Sequence, residues 1–252
     1  MRRAIESAVR QSYQKLEIIV VDDSREQHAK CVSQQFNDKR ITCHPNVRAK
    51  GACGSRNTGI EIATGEFYTG LDDDDSFHPE RIAILMKEYN PKYSFVASNI
   101  LITHLGQSRF RGRKSINLNA ILWGNCIGNQ ILTEIYRVRS VGGFDETLSS
   151  SQDRDLITRM IDKWGPALRI IEPLYNLDVD HGGSRISSSP NKASGLEQFL
   201  QRHCHQMNFP QRLIQHIRIN KYRKRPYLNL IILSLLFIRT WRYYFYRSIR
   251  AW

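Results

Sequence analysis

Phe67-Tyr68-Thr69-Gly70-Leu71-Asp72-Asp73-Asp74-Asp75 is a short apolar run that ends in four consecutive carboxylates. Adjacent negative charges repel one another, so a folded chain keeps them where counter-charge is at hand. At the C-terminal end of a buried strand, the simplest counter-charge is a divalent cation carrying a phosphorylated ligand. A solvated acidic turn ahead of a helix opening at Pro79 accounts for the same residues. The run alone leaves both readings open.

On either side of this run, extended and helical patterns alternate. Residues 2–12 read as a helix with Ile5, Ala8 and Val9 on one face, and Leu16 to Val21 as a buried strand ending at Asp22-Asp23-Ser24. A polar helix to about Phe36, a strand around Ile41 and a helix from Ala52 to Thr64 lead to the strand that delivers the aspartates. A helix from Pro79 through Glu88 and a strand at Phe95–Asn99 follow. The alternation predicts an α/β fold with a mostly parallel, doubly wound sheet, whose ligands gather at the strand carboxyl ends. Both acidic clusters, Asp22-Asp23 and Asp72 to Asp75, fall there.

Composition bounds the rest. A chain of 252 residues holds one large domain, or one domain with an appendage. Its five cysteines lack a CxxC spacing, so neither a zinc site nor a disulfide framework is expected, and a reducing cytosol is. The net charge of +13 is concentrated: residues 201–252 carry eleven Lys or Arg and no Asp or Glu. Within that tail, Leu228 to Ile238 is apolar yet about half the ~20 residues a bilayer span needs. Arg223-Lys224-Arg225 precede it, and Arg239, Trp241, Arg242, Tyr243 and Tyr244 follow. Cations and aromatics beside a short apolar helix suit the surface of an anionic membrane. A core helix with a basic outer face remains the alternative. No nucleic-acid motif accompanies the charge, and nucleic acid is not an expected partner.

In the second half, Gly142-Gly143-Phe144-Asp145-Glu146 reads as a turn, and Ser149-Ser150-Ser151 as a cap for a helix starting near Gln152. Asp153 and Asp155 then lie in its first turn, where the helix dipole favours carboxylates. His181, after Asp178 and Asp180, is a potential metal ligand or a solvated surface group.

Four motifs occur in order: Val20-Val21-Asp22-Asp23-Ser24; Ser55-Arg56-Asn57-Thr58-Gly59-Ile60; Leu71-Asp72-Asp73-Asp74-Asp75 with Pro79; and Gly142-Gly143-Phe144-Asp145 followed by Gln152-Asp153-Arg154-Asp155-Leu156. Together they resemble a family 2 glycosyltransferase of the GT-A fold, over roughly residues 2–185. The resemblance implies inverting, metal-dependent transfer of a sugar from a nucleotide-diphosphate donor, a UDP-sugar, to a glycan or lipid-linked acceptor in surface polysaccharide synthesis. By the same token Asp22 or Asp23, Arg56, Asn57, Asp72 and Asp73 would contact the nucleotide sugar. Asp74 and Asp75, with His181, would hold Mn²⁺ or Mg²⁺, and Asp153 would be the catalytic base. Trp123, Asn125, Gly128, Asn129 and Gln152 would line the acceptor pocket. Gln152 replaces the family's common Glu, and a core position explains Trp123 equally well.

The implied organisation is a GT-A domain over residues 1–200 and a basic helical tail over 201–252, placing the protein in the cytoplasm on the inner face of the cell membrane. Relatives open with a strand and a nucleotide-contacting turn that Met1 follows. The neighbouring strands are therefore expected to lose a shared hydrogen-bonding partner. A chain that keeps the motifs without turnover, serving as a binding module, and a metal-dependent phosphohydrolase are the competing classes.

Overall fold

The computed structural model describes all residues except 27, 50, 111, 113, 129, 179–190 and 225–252. The expected apolar run of the tail, Asn129 and His181 lie outside the described residues. The first half runs α1 (Arg2–Val9), β1 (Ile18–Asp22), α2 (His28–Ser33), β2 (Ile41–Pro45), α3 (Ala52–Ile62), β3 (Phe67–Thr69), β4 (Ser76–Phe77), α4 (Arg81–Glu88) and β5 (Val96–Ile102). After it come β6 (Gln107–Ser108), β7 (Lys114–Ile116), α5 (Leu118–Trp123), β8 (Leu132–Glu134), α6 (Ile135–Ser140), α7 (Gln152–Trp164), β9 (Ala167–Leu177), α8 (Asn191–His203) and α9 (Phe209–Tyr222). The α/β alternation expected from the sequence is present. α1 is shorter than expected, ending at Val9.

Parallel pairing carries the two longest strand contacts, β1 with β2 and β5 with β9. The short strands β3, β4, β6, β7 and β8 join antiparallel, giving a seven-stranded sheet whose main path is β3-β8-β5-β9-β4. One core lies against α7 and includes Phe95, Ala97, Ile157, Met160 and Ile161; a second, with Ile82, Leu85, Val96 and Ile170, lies under α4. Helix packing on both faces of a sheet is what buries its two apolar surfaces.

β1 and β2 form a separate two-stranded sheet, and β1 is not paired with β3 although both line one cleft. Ile18-Ile19-Val20-Val21 is the continuous apolar run of a strand buried on both faces. Here each of the four residues is only half-buried. The hydroxyls of Tyr68 and Thr69 on β3 are buried and, among the described residues, lack a partner. Between β1 and β3 the sheet edge is open among the described residues.

Two expectations change. The boundary expected at residue 200 falls inside α8, and α9 packs on the body: Leu196, Phe199, Leu200 and Ile219 form a cluster with Leu122. Apolar faces on both helices, invisible in a charge count, fasten residues 201–222 to the body. Ser151 also does not cap α7 through its side chain. Its φ is 64°, in the left-handed region, and it contributes its carbonyl, which accepts from Asp155 N at 3.0 Å.

Candidate active site

The cleft that runs along β1 and β3 to their carboxyl ends has a volume of about 3280 Å³. Asp22, Asp23, Arg56 and Asp72 to Asp75 line one part of it, and Trp123, Asn125, Gln152, Asp153 and Arg218 another. The two acidic clusters and the first turn of α7, far apart in sequence, therefore open onto one cavity.

Arg56 on α3 joins them. Its Nη2 donates to Asp72 Oδ1 at 2.6 Å and its Nη1 to Asp153 Oδ1 at 3.1 Å, with Phe144 beneath the guanidinium at 5.0 Å. Gln130 Nε2 donates to the same Asp72 oxygen at 3.0 Å. Burial pushes Asp153 up to about 6; the charge of Arg56 opposes this and that of Asp72 adds to it. Such a carboxylate is poised to exchange a proton near neutral pH.

Asp75 turns inward and is 1 % exposed. Its Oδ2 accepts from the Tyr175 hydroxyl at 2.7 Å and its Oδ1 from Asp178 N at 2.9 Å. Burial, helped by the negative charges of Asp74 and Asp72, pushes it up to about 6. Below it, the fully buried Arg81 stacks on Tyr175 at 5.3 Å. With each oxygen accepting one hydrogen bond, Asp75 braces the loop from within, beside the Asp74 carboxylate at the mouth of the cleft. Asp73 is exposed and Asp74 half-buried at the mouth of the cleft. Among the described residues no three His, Cys, Asp or Glu side chains converge on one point. This donor set fits a hard divalent cation held by one or two carboxylates and completed by phosphate oxygens and water.

Two other residues expected to contact the donor have protein partners. Asp22, 8 % exposed, accepts from Ser24 N and Oγ through Oδ1 and from Ala29 N through Oδ2. Burial raises its pKa, but these hydrogen bonds outweigh it and hold the carboxyl below its ordinary value. Of the pair, Asp23 is the half-buried member, tied to Asn46 Nδ2 at 2.7 Å and Gly51 N at 2.8 Å. Asn57 is buried away from the cleft: its amide exchanges hydrogen bonds with Phe144 N and O and donates to Glu146. It fastens α3 to the Gly142-Gly143 turn.

On the acceptor side, Asn125 spends its side chain on its own turn, accepting from Ile127 N and Gly128 N and donating to Gly128 O. Gly128 has φ 111°, and a Cβ there would stand 2.6 Å from Ile100 Cδ1. Gln152 Nε2 donates to Leu148 O at 3.0 Å. Nothing in the local sequence singles out Gln130, Tyr175 or Arg218. One signal was present: Gly70 stands between strand and aspartates, where a Cβ would come within 2.2 Å of Gln130 Oε1.

A cleft at strand ends, edged by carboxylates, on a mostly parallel α/β sheet is the GT-A glycosyltransferase arrangement, and the described fold matches solved members. Staphylococcus aureus TarS 1–349 in complex with UDP-GlcNAc aligns at TM-score 0.67 and 17 % identity, covering 98 % of this chain and 76 % of that one. The mannosyltransferase PcManGT from Pyrobaculum calidifontis, in complex with GDP-Man and Mn²⁺, aligns at TM-score 0.61 and 15 % identity, covering 98 % and 80 %. Residues 1–142 match the model of Glycosyl transferase family 2, and the chain belongs to that family. It is 31 % identical over 248 residues to the putative colanic acid biosynthesis glycosyl transferase WcaA of Escherichia coli K12, covering 94 % of this chain and 88 % of the relative. It is 39 % identical over 109 residues to the GalNAc(5)-diNAcBac-PP-undecaprenol beta-1,3-glucosyltransferase of Campylobacter jejuni, covering 42 % and 35 %. Its relatives thus include proteins of polysaccharide and glycolipid biosynthesis.

Proposed function

We propose that this protein transfers a sugar from a nucleotide-diphosphate donor, a UDP-sugar, to a hydroxyl of a glycan or lipid-linked acceptor, with inversion, in surface polysaccharide synthesis. The observation that carries the reading is the Arg56 bridge, which sets Asp153 in the same cleft as the acidic loop. UDP-GlcNAc in TarS, GDP-Man and Mn²⁺ in PcManGT and the undecaprenol-linked substrate in the name of the Campylobacter relative support it.

Asp23, Arg56, Asp72 and Asp73 orient the donor, and Asp74 holds Mn²⁺ or Mg²⁺. When bound, the ion neutralises charge on the departing diphosphate. Asp153 takes the proton of the acceptor hydroxyl as that oxygen attacks the anomeric carbon. The bond from that carbon to the diphosphate oxygen breaks, and the oxygen leaves with the electron pair. Direct displacement inverts the centre, since no carboxylate forms a covalent intermediate. The cationic tail places the protein on the cytoplasmic face of an anionic membrane. Among the described residues no helix is long and apolar enough to cross a membrane.

The half-buried β1 favours a second reading, a chain that binds donor without turning it over. The test is UDP-sugar binding by calorimetry with and without Mn²⁺, followed by UDP release with and without an acceptor panel. Metal-dependent binding and acceptor-dependent release support transfer. Binding without release supports the second reading, and no metal-dependent binding sinks both. Equal release without acceptor would make the protein a hydrolase.

A further inference from the structure

Two arginines crowd the C-terminal end of α5. Arg154, 5 % exposed, donates to Ile121 O at 3.1 and 3.2 Å, to Leu122 O at 2.9 Å and to Gln215 Oε1 at 2.9 Å. Arg218 on α9 donates through Nη1 to Trp123 O and to Gln215 Oε1 at 3.4 Å. Among the described residues no carboxylate pairs with either guanidinium. A helix end offers roughly half an elementary negative charge, against two full positive ones here. Burial draws Arg218 down to about 10, and burial with the charge of Arg218 draws Arg154 down as well. Arg154 is buried and Arg218 half-buried; charge drawn out of water without an opposite charge is costly, and a ligand anion removes that cost.

Arg154 and Arg218 both line the cleft, with Lys221, Trp123 and Gly124; Arg154 is buried and spends its guanidinium on Ile121 O, Leu122 O and Gln215, whereas Arg218 is half-buried. Gly124 keeps this place open: a Cβ there would stand 3.1 Å from Arg218 Nη2. The apolar Ile214 and Ile217 line the same wall. The aspartates and their cation account for the donor diphosphate, so this second positive site belongs to the acceptor side.

We propose that Arg218, backed by Lys221, binds a phosphate carried by the acceptor, so that the sugar receiving the transfer is attached to a phosphate ester. The inference rests on reading the cleft as a glycosyl-transfer site and adds the residues that would hold the acceptor's phosphate.

The test is calorimetric binding of octyl diphosphate, inorganic diphosphate and octyl glucoside to the full chain, with UDP and Mn²⁺ saturating. Octyl diphosphate is expected to bind, with Arg218→Gln weakening it about tenfold or more and Lys221→Gln by less. Arg218→Lys should restore part of the affinity, which a purely structural cap on α5 would not require. Inorganic diphosphate binding as well as octyl diphosphate identifies a soluble phosphate ester; a preference for the octyl form identifies a lipid carrier. Octyl glucoside binding as tightly, or unchanged binding in folded Arg218→Gln, overturns the proposal. Failure to saturate with UDP and Mn²⁺ would instead count against the donor reading, and octyl diphosphate binding is then compared without them.

Discussion

Arg56 Nη1 and Asp153 Oδ1 meet at 3.1 Å across 97 residues of sequence, and the other arm of the same guanidinium holds Asp72. One cation thus fixes the distance between the acidic loop and the first turn of α7. It also tunes the carboxylate expected to act as base.

Asp153→Asn should retain UDP-sugar binding and lower transfer by about 10²–10⁴-fold, the usual worth of a positioned base. Steady-state rates beside calorimetric affinities check this. Wild-type turnover in the variant would remove Asp153 from that role.

The base must be ionised to accept a proton, and burial pushes Asp153 to about 6. Transfer should therefore fall as pH drops below about 6. The positive charge of Arg56 favours the carboxylate, so Arg56→Gln should move this acid limb to higher pH. A kcat/KM profile from pH 5 to 8 reads both; an unmoved limb would show that Arg56 does not tune the base.

Asp74→Ala should abolish the dependence of UDP binding on Mn²⁺. Asp75→Asn, which disturbs the Tyr175 and Asp178 contacts, should chiefly lower stability, by about 1–3 kcal/mol for a buried hydrogen-bonding group left poorly satisfied. Urea unfolding and metal titration of both variants separate the roles. The reverse pattern would return Asp75 to the metal.

Asp155, fully buried on α7, accepts from His203 Nε2 at 2.8 Å, Arg159 at 2.7 Å and Arg202 at 3.2 Å. Its pKa is held at about 2: burial opposes the ionised form, and His203 and the arginines outweigh it. With the folded pKa below the unfolded one, this contribution is present above about pH 4 and is lost as pH falls towards 2. Asp155→Ala should cost about 1–3 kcal/mol at pH 7, because the buried His203 and the half-buried Arg159 lose their acceptor. Urea midpoints at pH 7 and pH 3 should converge between wild type and variant; a constant difference would point to packing.

Amides of β1 and β3 that do not bond β2 or β8 should exchange with deuterium at least about tenfold faster than those of β5 and β9. Exchange followed by mass spectrometry resolves the two groups. Equal protection would mean that the edge facing the cleft is covered.

The order of strands and helices was readable because apolar periodicity and turn residues are local. Asp72 to Asp75 announced a charged strand end for the same reason. What chemistry each carboxylate is free to do was not local. Asp22 and Asp75 look like their neighbours in sequence, yet Ser24, Ala29, Tyr175 and Asp178 occupy their oxygens. Asn57 likewise turns to the Gly142-Gly143 loop because a partner 87 residues away fits it.

By itself, then, the sequence determined the α/β alternation, the family and the stations of the acidic clusters, since these follow from spacing and side-chain type along a short window. Folding alone brings Asp153 into one cleft with Asp72, joins α8 and α9 to the body, and sets Arg154 beside Arg218 with no carboxylate paired to either among the described residues. Those facts depend on which distant surfaces pack, and packing brings charges together that no local pattern pairs.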